Sequence, residues 1–450
     1  MKYDRERIER DLLRSVEHTT PWFYLAFFGL LAVVGWGFYA YFTQLRYGLG
    51  VTGMQEPVTW GFYIVNFVFF IGISHAGTLI SAILRLSKAE WRRPITRMAE
   101  VITAIVLAIG GLHPIIDLGR PDRILHIFYN GRLQSPLLWD VTSITAYFAA
   151  STVYLYVPMI PDIARLRDRG VRPRWLYRVL AWGWIGTPEQ HRVLERAINI
   201  LMVMVIPIAV SVHTVISFIF AMTLQPGWHS TIFGPYFVAG AIFSGIAALF
   251  LVILTFRRVY HLEHYIKDIH LYQLSRLLLI MSLVWFYFTF AEYLTGYYGG
   301  EPVEFKVIMY KFTGRYMLPF WGMVLCNFVI PVVFLSFRRL CTPRGIFIAS
   351  VAVTIGMWLE RLNIIVPTLE NPAVPFPTHF YVPSWVEWGI FAWGVGVFCL
   401  GFLLFAKFFP LISIWEIEEG IEQAEEEVDE RIRSYQPDFA LVGQAEAVRP

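Results

Sequence analysis

Charge is scarce in this chain. Asp, Glu, Lys and Arg make up 16% of its 450 residues, while 56% are hydrophobic and 17% are aromatic. That balance excludes an ordinary soluble globular protein. Cysteine is scarcer still. Cys326, Cys341 and Cys399 stand far apart with no C-x-x-C pair, so the chain is expected to bind no iron–sulfur cluster or other metal and to lack a disulfide framework. Paired histidines at matching depth are also missing, which argues against a haem held within the membrane. Long polar stretches are few, and the net charge is only +3, which leaves no room for a soluble catalytic domain and no basic surface for nucleic acid. No cleavable leader is read at the N-terminus, because twenty mostly polar residues precede the first apolar run.

Apolar runs dominate instead. Ten are long enough to cross a bilayer as helices, near 22–44, 58–85, 97–117, 137–160, 197–222, 234–256, 272–294, 317–337, 345–366 and 385–407. The positive-inside rule tests that count. With both termini cytoplasmic, the inner segments hold 29 of the 37 Lys and Arg, the outer loops hold 7, and Arg361 lies within a span. One missed or invented helix would destroy this asymmetry. The expected fold is therefore an all-α integral membrane protein of the bacterial inner membrane. It divides into an amphipathic cytoplasmic N-terminus (1–20), a ten-helix membrane domain (21–407) and an acidic cytoplasmic tail (408–450). Nine acidic residues in 416–430 mark that tail as a solvated helix, a disordered segment or a docking surface. Gly240, Ser244 and Gly245 are expected to let the sixth helix pack closely.

Ionisable groups inside such a domain are costly and point to function. They concentrate in the outer half. His113 and Asp117, four apart, share a face at the end of the third helix. Asp140 opens the fourth helix, His213 lies in the fifth, Glu292 near the end of the seventh and Arg361 in the ninth. The inner half holds little besides His75 with Ser74 and Thr78. Quinol oxidation needs such groups, since each hydroxyl loses a proton as its electron leaves and a His or carboxylate within reach must accept it. Bland readings stand beside this one. His113 or Asp140 could be helix-end groups, His75 a satisfied bundle histidine, and Glu292 with Arg361 a structural ion pair.

The segments GISHAGTLISAILRL, GLHPIIDLGRP, SPLLWDVTSITAY and SVHTVISFIFAMTLQPGWHSTIFGPYFVAGAI resemble the NrfD-like membrane subunits of polysulfide reductase, and more closely the C subunits of bacterial alternative complex III. The resemblance implies two four-helix bundles, helices two to five and six to nine, flanked by helices one and ten. It implies menaquinol oxidation at the periplasmic side of the first bundle. Electrons would pass to an iron–sulfur protein subunit and then to c-type cytochrome subunits, beside a second homologous membrane subunit and small membrane subunits. It places the quinol pocket on His113, Asp117 and Asp140, with His75 as a further contact. His75, His213, Glu292 and Arg361 are implied members of a proton path. The acceptor role stays open between His113 and Asp117. So does the choice among this subunit, its non-catalytic homologue and the membrane anchor of a molybdopterin enzyme of the polysulfide reductase type. A secondary transporter would favour midplane sites on broken helices instead.

Overall fold

In hydrocarbon, every backbone N–H and C=O must be paired within the chain, and the apolar runs therefore fold as helices. The computed structural model describes residues 5–374 and 379–435, and among them only one isolated β-bridge, Gln55–Val58, interrupts helices and loops. In chain order come α1 (Arg5–Glu17), α2 (Pro21–Tyr47), α3 (Phe62–Ile73), α4 (Ser81–Leu86), α5 (Arg93–Asp117) and the short α6 (His126–Tyr129). Next are α7 (Pro136–Tyr156), α8 (Ile160–Asp168), α9 (Arg174–Leu180), α10 (Pro188–Ala221), α11 (Phe233–Val259) and α12 (Asp268–Gly299). The last are α13 (Pro302–Phe312), α14 (Met317–Val324), α15 (Ile330–Ser336), α16 (Pro343–Leu369), α17 (Trp385–Phe408) and α18 (Ile414–Tyr435).

Among the described residues, nine segments are long and apolar enough to span a membrane: α2, α5, α7 with α8, α10, α11, α12, α14 with α15, α16 and α17. The run expected over 58–85 is not one helix. Its first part, α3, is a short apolar helix, and a π-helical turn at Ala76–Ile80 separates it from α4. The cause is a side chain inserted into the ladder. The Thr103 hydroxyl accepts from Gly77 N at 3.0 Å and donates to the Ser74 carbonyl at 2.6 Å, taking the place of a helical hydrogen bond. A Cβ on Gly77 would lie 2.1 Å from the Ala99 carbonyl oxygen, so only glycine lets α5 come this close. Gly245 behaves in the same way, as its sequence position suggests: a Cβ there would meet Ala76 N at 2.6 Å.

Helices α3, α5, α7 and α10 pack as one group, and α11, α12, α15 and α16 as another. The groups meet where α11 and α16 press on α3, while α2 and α17 pair along one side and lean on α5. We call the end that carries α1 and α18 the terminal end, and the opposite end distal.

At the terminal end, the first turns of the acidic tail are docked, while Glu422, Glu426, Glu427 and Glu430 further along α18 are exposed. Glu416 and Glu418 are 3% and 9% exposed. Arg85 and Arg92 lie 3.4 and 3.8 Å from Glu416, and Arg165 donates to Glu418 at 2.6 Å. Beneath them Arg97 pairs with Asp162 at 2.7 Å, both buried. The arginines that set the charge asymmetry thus supply the counter-charges for α18. On α1, Ile8, Leu12, Leu13 and Val16 are buried, and Lys407 donates to the Val16 carbonyl at 2.8 Å. Residues 1–4 and the tail beyond 435 lie outside the described residues.

Candidate functional site

The distal end of the first bundle is built differently. His113 is 0% exposed, and its Nδ1 bonds the Ile109 carbonyl one turn back at 2.9 Å. Among the described residues its Nε2 is buried with no partner. The ring lies against Phe70 of α3 and Trp393 of α17, at centroid distances of 5.4 and 6.3 Å, and the Trp393 indole N–H is buried and unpaired too. Asp117, one turn further, keeps the same face, within electrostatic reach of Tyr63 and Glu387, and its Oδ1 is likewise without a partner.

Around this pair stands a saturated frame that sequence reasoning missed. The Tyr63 hydroxyl donates to the Gln44 side chain, whose amide donates to the Ile116 carbonyl at 2.8 Å. Glu387, fully buried, accepts from the Tyr381 hydroxyl, from Gly53 N at 2.7 Å and from Ser384 N at 2.8 Å. Burial, and then Glu387 beside it, hold the Tyr381 phenol well above its ordinary value, so it remains a donor. The S-x-x-E spacing of Ser384 and Glu387 announces a capping box and hence a helix start. Nothing in that motif announces that the cap carboxylate is buried beside Asp117.

Asp140 is 6% exposed on α7, and its Oδ1 is another buried atom without a partner. Helix α7 meets α5 on its Gly111 side, where Ile144 lies 3.8 Å from the Cβ position of Gly111. His113 and Asp117 turn towards α3 and α17 instead. No hydrogen bond or ion pair among the described residues joins Asp140 to either of them.

His75 and His213, expected in opposite halves of the membrane, touch. Their ring centroids lie 3.9 Å apart, edge to face. Helix α3 begins at Phe62 rather than 58, which brings His75 nearer the distal end than the apolar run suggested. His75 Nε2 bonds the Ala209 carbonyl at 2.8 Å, whereas both nitrogens of His213 are unpaired. The side chain of Thr78 lies outside the described residues. Deeper towards the terminal end, Glu100 is 3% exposed and accepts from the Ser81 hydroxyl at 2.8 Å. The half towards the terminal end, expected to hold little besides His75, therefore holds the buried Glu100.

Arg361 and Glu292 do not pair. Arg361 NH1 lies 3.1 Å from Glu360 Oε2, although neither atom attains hydrogen-bond geometry, and its guanidinium sits over the Phe237 ring at 4.9 Å. Neighbours in sequence point about 100° apart on a helix, but two long side chains bridge that angle. Glu360 also accepts from the Trp285 indole at 2.8 Å, and Arg361 lies within electrostatic reach of His213. Glu292, further out on α12, accepts from the Ser230 hydroxyl at 2.6 Å.

Two kinds of comparison bear on this arrangement. The family model for polysulphide reductase NrfD matches residues 50–373. The chain is 31% identical over 231 residues to a putative membrane C subunit of dimethyl sulfoxide reductase from Halobacterium salinarum, an alignment covering 51% of this chain and 50% of that protein. The chain thus aligns with about half the length of that relative. It is 23% identical over 430 residues to the C subunit of selenate reductase from Mesobacillus selenatarsenatis, covering 89% of this chain and 96% of that one. It is also 23% identical over 419 residues to an Hdr-like menaquinol oxidoreductase integral membrane subunit of Archaeoglobus fulgidus, covering 88% and 95%. With spans, π-turn and polar core described, and with a family match across most of its length, this multi-pass protein of the inner membrane belongs to the NrfD polysulphide reductase family.

Proposed function

We propose that this chain is the quinol-binding membrane subunit of a quinol:electron-acceptor oxidoreductase of the alternative complex III type, oxidising menaquinol at the distal end. One observation carries the reading. Among the described residues, His113 Nε2, Asp117 Oδ1, Asp140 Oδ1 and Trp393 Nε1 are all buried at that end without a partner, where a buried polar atom ordinarily has one. A quinol hydroxyl is the partner these atoms lack. Oxidation releases two protons and two electrons per quinol. His113 Nε2 is a free acceptor for one proton, and the carboxylate of Asp117 or Asp140 for the other. His75 is the deeper contact.

An apolar groove of about 570 Å³ supports the reading. It is lined by Phe69, Phe70, Trp388, Phe391 and Phe398, and Phe70 also touches His113. It suits a hydrophobic tail beside the headgroup site.

The orientation belongs to the same proposal. Both termini are cytoplasmic, the distal end is periplasmic, and α3 with α4 counts as the tenth span. The Lys and Arg asymmetry supports this. Electrons leave to an iron–sulfur subunit docked on the distal face and pass to c-type cytochrome subunits. The second homologous membrane subunit and the small membrane subunits pack alongside. Protons move through His75, His213, Arg361 and Glu292, and the contact between the two histidines supports their place in that route.

A second reading follows from the relatives' names. Both the selenate reductase and the dimethyl sulfoxide reductase proteins are C subunits, which favours a membrane anchor that delivers quinol electrons to a molybdopterin reductase. Purification of the chain with its native partners separates the two. Menaquinol-driven reduction of a c-type haem band supports the first reading, and recovery of a molybdopterin subunit without such a band refutes it. Unaltered turnover in His113→Ala and Asp140→Asn would refute both placements of the site.

A further inference from the structure

The second bundle also has a distal site, and it is open. A cavity of about 280 Å³ lies between the loop before α11, the distal half of α12, and α13. Trp228, Phe233, Tyr236 and Tyr293 form aromatic walls, and the Trp228 indole is fixed by donation to the Ile364 carbonyl at 2.7 Å. Lys311 reaches this cavity from α13 and is 7% exposed. Among the described residues its ammonium makes no hydrogen bond and has no carboxylate within 4.0 Å; it lies 5.6 Å from the Tyr293 ring and within electrostatic reach of Glu292. Glu292 faces the same space, with one oxygen accepting from Ser230 and the other unengaged by any side chain.

A largely buried ammonium that opens only onto the cavity sets what can occupy it. An anion would gain Lys311 but face Glu292, Glu301 and Glu304. A metal ion would gain the carboxylates but face Lys311. The cluster that could hold one, His229, Glu301 and Glu304, lies at the rim, where His229 already pairs with Glu304 at 3.1 Å. A neutral flat ring with an acceptor oxygen on one edge and a hydroxyl on another satisfies both groups and fits the aromatic walls.

We infer that this cavity is a second binding site for a quinol-class headgroup, with Lys311 donating to one ring oxygen and Glu292 accepting from a ring hydroxyl. The class of ligand rests on the quinol reading above, but the site shares no residue with the headgroup pocket of His113, Asp117 and Asp140.

The test is the binding stoichiometry of a fluorescent hydroxyquinoline quinol analogue on the full-length chain purified with its native partners. Wild type is compared with Lys311→Met, Glu292→Gln and His113→Ala, each checked for assembly. Two sites in wild type are expected. Lys311→Met or Glu292→Gln should remove one and leave the other's affinity unchanged, and His113→Ala should do the converse. One site, lost in His113→Ala and untouched in the other two, would mean that the second cavity holds only water, and overturns this inference alone. One site, lost only with Lys311 or Glu292, upholds the second cavity and overturns the first-bundle placement. No saturable binding in wild type overturns both.

Discussion

The two ends of the first bundle both hold buried ionisable groups and treat them differently. At the terminal end the buried charges face opposite charges, although among the described residues Glu416 Oε2, Arg85 Nη1 and Arg92 Nε make no hydrogen bond. Arg97 pairs with Asp162, which also accepts from Ile414 N at 3.1 Å and Trp415 N at 3.3 Å, and Arg85 and Arg92 flank Glu416. At the distal end, His113, Asp117 and Asp140 each keep a buried atom without a partner. A buried charge neutralised by an opposite charge fixes the structure. A polar atom that is buried and unbonded costs stability and is retained where a ligand completes it. The contrast separates a clamp from a site within a single four-helix group.

The comparison can be broken from either side. The largest expected effect lies at the distal end. His113→Ala or Asp140→Asn should lower quinol oxidation by roughly 10²–10⁴-fold, the usual worth of a positioned proton acceptor. The unfolding midpoint should stay where it is, because these side chains make few bonds to lose. A lowered midpoint with turnover intact would make them structural groups. The terminal end should answer in the opposite sense. Asp162→Ala strands Arg97 in the protein and should cost on the order of 3–5 kcal/mol, read by thermal unfolding in detergent, with the affinity for a quinol analogue unchanged in the protein that still folds.

A smaller effect concerns the second bundle and pH. Burial pushes the Lys311 ammonium down to about 8, against the partial support of Glu292. The groups that face it are Glu292 and Tyr293 of α12, with His229, Glu301 and Glu304 at the rim. Above that pH the donor is lost, so affinity at the second cavity should fall about tenfold per pH unit while the first-bundle site holds. The fall cannot be unfolding. A lysine whose folded value lies below the unfolded one leaves the unfolded chain holding the extra proton between about 8 and 10.5, and stability rises with pH across that window. A flat affinity from pH 7 to 9.5 would contradict the role given to Lys311.

The smallest effect is at the edge of the clamp. Arg5 and Glu422 pair in the open, at 64% and 49% side-chain exposure, so Glu422→Gln should shift stability by less than about 1 kcal/mol. A larger loss would mean that the outer turns of α18 carry more of the docking than the buried pairs do.

Much of this was legible in the sequence. Apolar run lengths and arginine placement locate nearly every long helix, because hydrocarbon thickness and insertion chemistry act on composition directly. The break after His75 was not legible, since it depends on Thr103, a residue of another helix, entering the ladder. Depth counted along a single helix also failed for His75 and His213; the later start of α3 closes only part of the gap, and the packing of the end of α3 against α10 closes the rest. His113 and Asp117 were found because a histidine and a carboxylate four apart at a helix end stand out in an apolar chain. Gln44, Tyr63 and Lys311 were missed because in sequence they look like ordinary interfacial or loop residues, and only tertiary packing buries them.

The central claim is that the partnerless groups at the distal end of the first bundle bind quinol. Quenching of a fluorescent hydroxyquinoline quinol analogue tests it most directly, with wild type set against Asp140→Asn and His113→Ala in the assembled protein. The account predicts that the saturable component assigned to the first bundle is lost or severely weakened in each variant. Unchanged binding in both would contradict it and would make the Gly110–Asp140 stretch a docking surface for a partner protein instead.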